Sequence, residues 1–64
     1  MNRAPHEYII DYRMEQAKKL IASGKFNISE VSFMVGYDDI HYFSRLFKQK
    51  VGCTPTEYAE GKEN

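Results

Sequence analysis

The spacing of helix caps and glycines constrains this chain more than any other feature of its sequence. The run Asn-Ile-Ser-Glu at 27–30 has a capping side chain followed three residues later by glutamate, the capping-box pattern of a helix start. Thr-Pro-Thr-Glu at 54–57 has the same pattern, with proline at the first helical position. Gly24, Gly36 and Gly52 stand where the intervening helices should end. These signals divide the chain into short helices.

Strand signals are poor, because no segment sustains an alternation of apolar and polar residues. We therefore predict an all-α fold: a small helix-turn-helix (homeodomain-like) bundle of about four helices, forming one domain over 1–64. The predicted parts are a linker-type helix at about 5–22, a helix-turn-helix at about 28–51 made of helices at about 28–35 and 39–51, a closing helix at about 55–60 and a tail at 61–64.

The first predicted helix has an N-terminal signal and an apolar stripe. Pro5 suits the first helical position, and Glu7 follows in the first turn, where the helix dipole favours an anion. Arg13 is interpreted either as a phosphate contact or as half of an ion pair with an acid, with its stem packed on the core. Apolar spacing leads us to expect core residues on this helix at Tyr8, Ile9, Tyr12, Gln16 or Ala17, Leu20 and Ile21.

The third predicted helix has a well-defined stripe of large apolar residues. The stripe recurs at i, i+3, i+4 and i+8, at Phe43, Leu46, Phe47 and Val51. At about 100° per residue, the polar residues of this helix fall on the opposite side. We expect the stripe to be buried, Asp38 or Asp39 to cap the helix, Gly52 to end it, and Tyr58 to anchor the closing helix.

Composition excludes several kinds of protein. One cysteine, Cys53, allows no internal disulfide, and no cluster of Cys and His has metal-ligand spacing, so we expect neither metal nor cofactor. No nucleophile–base pair or glycine-rich phosphate loop indicates an enzyme. No apolar run approaches the ~18 residues that span a bilayer, and the N-terminus lacks the apolar region of a signal peptide. We expect a cytoplasmic protein with no membrane partner.

The formal net charge is zero, but the charges are unevenly distributed. The segment 40–51 contains Arg45, Lys48 and Lys50 and no acid, which gives it a net charge of +3. One purely basic segment in a neutral chain favours a local phosphate contact over a broad electrostatic footprint.

The order of elements is that of a helix-turn-helix: a short helix at 28–35, a glycine-containing turn at 36–38 and a longer helix at 39–51. This motif needs a small residue where its helices cross and a residue that tolerates positive φ in its turn. Ser32 and Gly36 meet these two requirements. We therefore predict binding to double-stranded DNA, with the longer helix in the major groove.

Six residues at the start or on the outer side of the third helix are the candidate DNA contacts: Asp39, Ile40, His41, Ser44, Arg45 and Lys48. Arg45 suits guanine or phosphate, and Lys48 suits phosphate. His41 could contact a base or a phosphate, or remain a free surface imidazole. Ser44 adds a short polar group.

Three of these candidates have a structural alternative. Arg45 could be a surface residue paired with Asp38, Asp39 or Gln49. Asp39 could accept a hydrogen bond from cytosine or only cap the helix. Ile40 could touch a thymine methyl group or fold back onto the core.

A set of short motifs runs along about four fifths of the chain. Its matching residues are Tyr8-Ile9, Arg13, Ala17, Leu20, Ile28, Glu30-Val31, Val35-Gly36-Tyr37, Tyr42-Phe43-Ser44-Arg45, Phe47-Lys48, Gly52, Thr54-Pro55 and Glu57-Tyr58. On these residues the chain resembles the C-terminal half of the DNA-binding domain of AraC/XylS-type transcription regulators. The resemblance implies sequence-specific DNA binding in bacterial transcription regulation.

The resemblance also implies partners. Domains of this family have two helix-turn-helix units joined by a long helix, usually beside a sensor or receiver domain. This chain matches the joining helix, the second unit and the closing helix, so the missing first unit and the sensor or receiver domain are expected partners. In an alternative function, the exposed face of the second unit contacts RNA polymerase or another domain of the parent regulator.

Two residues depart from the family pattern. Ser32 stands where alanine is usual, and Ala59 stands where arginine is usual, which removes one basic contact. We further expect that the absence of the first unit leaves an apolar patch of Ile10, Met14 and Ile21 that drives self-association.

Overall fold

The computed structural model describes residues 6–61, which form four α-helices and no strand. They are α1 (His6–Ser23), α2 (Ile28–Met34), α3 (Ile40–Val51) and α4 (Pro55–Ala59). The predicted all-α class is confirmed, and each helix boundary in the described range lies within one residue of its predicted position. The predicted role of Pro5 and most of the predicted tail, 62–64, lie outside the described residues.

Both predicted capping boxes are present. The Asn27 side chain accepts a hydrogen bond from the Glu30 N–H (2.8 Å), and the Glu30 carboxylate accepts one from the Asn27 N–H (2.9 Å). Thr54 and Glu57 make the same reciprocal pair at the start of α4, at 3.1 and 3.0 Å. Each box satisfies two N–H groups that a helix end leaves without an intrahelical partner.

The turn between α2 and α3 is closed by a buried hydroxyl and a glycine. Ser32 is buried, and its Oγ donates to the Tyr37 carbonyl at 2.8 Å. Gly36 has φ +106°, a conformation that residues with a Cβ rarely adopt. Gly36 therefore has the predicted role in the turn, and Ser32 is the small buried residue beside it.

The core lies between α1 and the inner face of α3. Its buried residues are Ile10, Met14, Ala17 and Ile21 from α1, Val31 from α2, and Phe43, Leu46 and Phe47 from α3. The Phe47 ring lies 5.8 Å from the Phe43 ring and 5.7 Å from the Tyr58 ring. The predicted stripe of α3 is thus confirmed, with Val51 half-buried at its edge, and Tyr58 anchors α4 against it.

The predicted core face of α1 is wrong in its first half, whereas Ala17 and Ile21 are buried as predicted. Tyr8 and Tyr12 are 60% and 58% exposed, and Ile9 is exposed too, whereas Ile10 and Met14 are buried. Both sets of residues recur at helical spacing, so periodicity alone did not separate them. A buried tyrosine needs a hydrogen-bond partner for its hydroxyl, whereas the aliphatic face needs none.

The burial of this aliphatic face also shows that the predicted apolar patch is wrong. Ile10, Met14 and Ile21 are 8%, 2% and 5% exposed, so they form the core and cannot drive self-association. Leu20 is half-buried and packs on the edge of the core. The exposed large apolar side chains are instead Tyr8, Ile9, Tyr12, Phe33, Met34 and Tyr42.

Gly36→Ala should destabilise the fold by about 2–3 kcal/mol, because alanine is strained at this φ and its Cβ would lie 3.2 Å from the Arg13 guanidinium. Gly24→Ala is the matched control, since Gly24 has φ +73° and a Cβ there would have no atom within 4 Å. That control should lose only about 1 kcal/mol. Urea unfolding followed by circular dichroism measures both; equal losses would contradict a special requirement at Gly36.

Candidate DNA interface

The six candidate residues all lie on α3 or at its cap, and none belongs to the core. Asp39, His41, Arg45 and Lys48 are exposed, whereas Ile40 and Ser44 are half-buried. Since Phe43 and Phe47 are fully buried on the other side, α3 cannot turn about its axis without exposing them. The outer face of α3, defined here as His41, Ser44, Arg45 and Lys48, is therefore fixed toward solvent.

Asp39 determines where this face begins. Its Oδ1 accepts hydrogen bonds from the His41 N–H (3.0 Å) and the Tyr42 N–H (3.3 Å). Of the two predicted caps, Asp39 rather than Asp38 is the one used. Because one carboxylate oxygen already has two donors, the other oxygen is the one left for an outside partner.

Arg45 and Lys48 carry positive charge that no residue in the described range neutralises. Within residues 6–61, neither side chain forms an ion pair, so the predicted alternative that Arg45 pairs with Asp38 or Asp39 is wrong. Both line an open groove with Tyr42, Leu46 and Gln49. An anion reaching α3 would meet these two cations first.

Lys50 differs from its two basic neighbours. Its Nζ lies 3.5 Å from the Glu7 carboxylate and 3.5 Å from the Asp11 carboxylate, both on α1. Lys50 is seven residues after Phe43, so it lies on the inner side of α3 and faces α1. Sequence reasoning counted Lys50 with Arg45 and Lys48 in one basic segment. The spacing from Phe43 could have shown that Lys50 lies on a different side of the helix.

Tyr42 is a further candidate for this site, one that sequence reasoning quoted in a motif without giving it a role. It is 42% exposed, lines the groove beside Arg45, and packs edge-on against the Tyr37 ring at 5.7 Å. Tyr42 and Phe43 are adjacent on one helix, so the sequence indicated that only one of the two rings could point inward.

Arg13 does not have the partner that the sequence predicted. No acid among residues 6–61 pairs with it, so the predicted ion pair is wrong. Its guanidinium instead lies over the Tyr37 ring, 5.2 Å from the ring centroid. A cation over an aromatic face is stabilised by the ring quadrupole, which explains why no carboxylate is needed.

The described part of the chain gives no support for a metal site or a membrane span. No group of three or more His, Cys, Asp and Glu among residues 6–61 could hold a metal ion. Cys53 is buried. None of the helices described is both long and apolar enough to cross a membrane.

Comparison with known proteins identifies relatives along almost the whole chain. A family model described as a helix-turn-helix domain matches residues 1–61. The HTH-type transcriptional regulator YdiP of Escherichia coli K12 is 34% identical over 61 residues, covering 95% of this chain and 20% of YdiP. The arabinose operon regulatory protein of the same organism is 43% identical over 53 residues, covering 83% of this chain and 18% of that regulator.

These relatives are much longer proteins. The chain spans about a fifth of the length of the two regulators. It is also 39% identical over 57 residues to histidine kinase P4 of Formosa agariphila, a match that covers 89% of this chain and 4% of the kinase. The similarity therefore concerns one domain. No solved structure matches the chain at a significant level.

Asp39→Ala should destabilise the protein by about 1 kcal/mol, because it removes the cap of α3. Asp39→Asn should retain most of the stability, since asparagine also caps helices well. Asp38→Ala is the control, because Asp38 is exposed and makes no hydrogen bond among the described residues, and it should change stability by less than about 0.5 kcal/mol. Thermal unfolding tests this, and an Asp39→Ala variant as stable as Asp38→Ala would contradict it.

Proposed function

Because the chain belongs to the helix-turn-helix domain family of AraC-type transcriptional regulators, we propose that it binds double-stranded DNA sequence-specifically with α3 in the major groove. DNA binding in transcription regulation is the function of this family. The observation that supports the proposed geometry is the outer face of α3, on which Arg45 and Lys48 have no ion-pair partner among the described residues. Because Phe43 and Phe47 on the opposite side of α3 are buried, the outer face of α3 is directed toward solvent.

The dimensions of α3 suit a groove-binding role. Twelve helical residues span about 18 Å, and the major groove of B-DNA, about 12 Å wide, admits one α-helix. Recognition helices meet base edges near their N-terminal ends. Ile40 and His41 are in that position here, while Lys48 lies two turns further along, where phosphates flank the groove.

Each residue of the proposed interface has a chemical role. Arg45 donates two hydrogen bonds to guanine O6 and N7, or binds a phosphate. His41 donates to or accepts from a base edge, and Ser44 supplies a short hydroxyl. Ile40, half-buried at the start of α3, places part of its side chain against a thymine methyl group.

The remaining two candidates have more limited roles. Lys48 neutralises a phosphate, which adds affinity but no sequence preference. Asp39 acts first as the helix cap, and only its second carboxylate oxygen is available to accept a hydrogen bond from cytosine N4.

Electrostatics limit the affinity of this domain. The formal net charge is zero, and Lys50 is engaged by two acids of α1. Few phosphates can then be neutralised, so we expect binding near the non-specific range of ~10⁻⁴–10⁻⁶ M at physiological salt. We propose a first helix-turn-helix unit as the partner that would add affinity to this domain.

A protein contact is a second candidate function, favoured by the exposed apolar side chains. Phe33 and Met34 of α2 are 73% and 49% exposed, and Tyr12 of α1 is 58% exposed. RNA polymerase and the sensor or receiver domain of a parent regulator are the proposed partners. We propose no enzymatic activity and a cytoplasmic location for the protein.

The DNA-binding proposal predicts different effects for three basic residues. The experiment selects a ~25-base-pair duplex from a random pool with the wild-type chain, then measures fluorescence anisotropy with this duplex and a scrambled one. Arg45→Ala should weaken binding to the selected duplex about tenfold and reduce discrimination, because it removes a base contact. Lys48→Ala should weaken binding to both duplexes by the same factor. It should also reduce the magnitude of the slope of log K against log salt by about one.

Lys50→Ala is the matched control for charge. It should leave the salt slope unchanged, because Lys50 is already paired with Glu7 and Asp11 on the inner side of α3. A slope that falls equally for Lys48→Ala and Lys50→Ala would contradict the assigned face. No binding at low salt by a folded chain would contradict DNA binding by this domain alone and favour the protein contact.

A further inference from the structure

Arg13 lies against the turn of the helix-turn-helix although it belongs to α1. Its side chain is half-buried, and its guanidinium carbon is 5.2 Å from the centroid of the Tyr37 ring. The guanidinium also covers Gly36, where a Cβ would lie 3.2 to 3.5 Å from its atoms. Arg13 therefore packs on Gly36 and Tyr37, two of the residues that lead from α2 into α3.

The Tyr37 ring continues this contact into α3. It meets the Tyr42 ring edge-on, with centroids 5.7 Å apart, and the Phe43 ring at 6.0 Å. The Tyr37 backbone is fixed as well, because its carbonyl accepts the hydrogen bond from Ser32 Oγ. A continuous stack thus joins α1, the turn and the first turn of α3.

The chemistry of this stack is specific to arginine and an aromatic ring. A guanidinium is planar and weakly hydrated, so it covers a ring face better than the compact ammonium of lysine. The absence of an acidic partner within residues 6–61 leaves the ring as the main partner of the Arg13 charge.

We propose that Arg13 is a positioning residue for DNA recognition, which sets the orientation of the start of α3 through Tyr37 and Tyr42 without contacting DNA. This inference rests on the proposed DNA-binding function. His41 directly precedes Tyr42, and Arg45 follows it by three residues, so a shift of the Tyr42 ring moves both proposed base contacts. The expected consequence is a loss of sequence discrimination rather than of general attraction to DNA.

Arg13→Met tests the proposal, because methionine retains an unbranched apolar stem and removes the guanidinium. Affinity for the selected duplex should fall about tenfold, within the range expected for losing a half-buried cation–π contact, while affinity for the scrambled duplex changes less than about twofold. The salt slope should stay unchanged for both duplexes. Circular dichroism of each variant gives the folded fraction, by which the affinities are corrected.

Variants of Tyr37 show whether Arg13 acts through the ring. Tyr37→Phe keeps an aromatic face and should retain discrimination, whereas Tyr37→Leu should lose at least as much as Arg13→Met, because it also removes the ring contacts with Tyr42 and Phe43. The double variant Arg13→Met/Tyr37→Leu should bind no worse than Tyr37→Leu alone, because that variant has already lost the Arg13 contact. Additive losses in the double variant would overturn the proposal.

Two further outcomes separate this inference from the proposed function. If the wild type discriminates and Arg13→Met discriminates equally well, the inference alone is wrong. If Arg13→Met weakens both duplexes alike and lowers the salt slope by about one, Arg13 is a phosphate contact and not a positioning residue. If the wild type binds the two duplexes equally, the proposed function fails and the inference fails with it.

Discussion

The burial of Phe43 and Phe47 is the interaction on which the other features of this domain depend. Burying one phenylalanine stabilises a fold by about 1.5–3 kcal/mol, a large share of the roughly 5–15 kcal/mol of a typical domain. The two rings meet α4 through Tyr58 and the turn through Tyr37. They also fix the rotation of α3, so the same contacts that stabilise the protein determine which side chains face outward. Stability and the proposed DNA recognition therefore depend on two sides of one helix.

Sequence reasoning succeeded where local chemistry is decisive. Capping boxes and positive-φ glycines act over three to five residues, so their patterns predicted the helix boundaries and the turn. It failed on the first half of α1, where both faces carry apolar residues at helical spacing. The choice between Tyr8 and Ile10 depends on contacts of α1 with the other three helices, and these contacts are remote in sequence. The tyrosine hydroxyls were the available signal, since the aliphatic face leaves no polar group to satisfy.

The candidate site shows the same division. Spacing alone placed its six residues on α3 or at its cap. Spacing did not show which charged side chains have a partner within the protein. Lys50 meets acids 43 and 39 residues earlier in the chain, and Arg13 meets a ring 24 residues later. Tertiary contacts thus leave two of the three cations of the basic segment on the outer face of α3 and place a fourth cation, Arg13, against the turn.

The measurement that tests the account most directly is a titration of the ¹⁵N-labelled chain with the selected duplex, followed by amide chemical shifts. The account predicts that the largest changes fall at 39–48, with smaller changes at Tyr37 and at Gly36. Changes confined to the exposed apolar residues of α1 and α2, such as Tyr12 and Phe33, would contradict it. That result would mean that the outer face of α3 is not the surface that meets DNA.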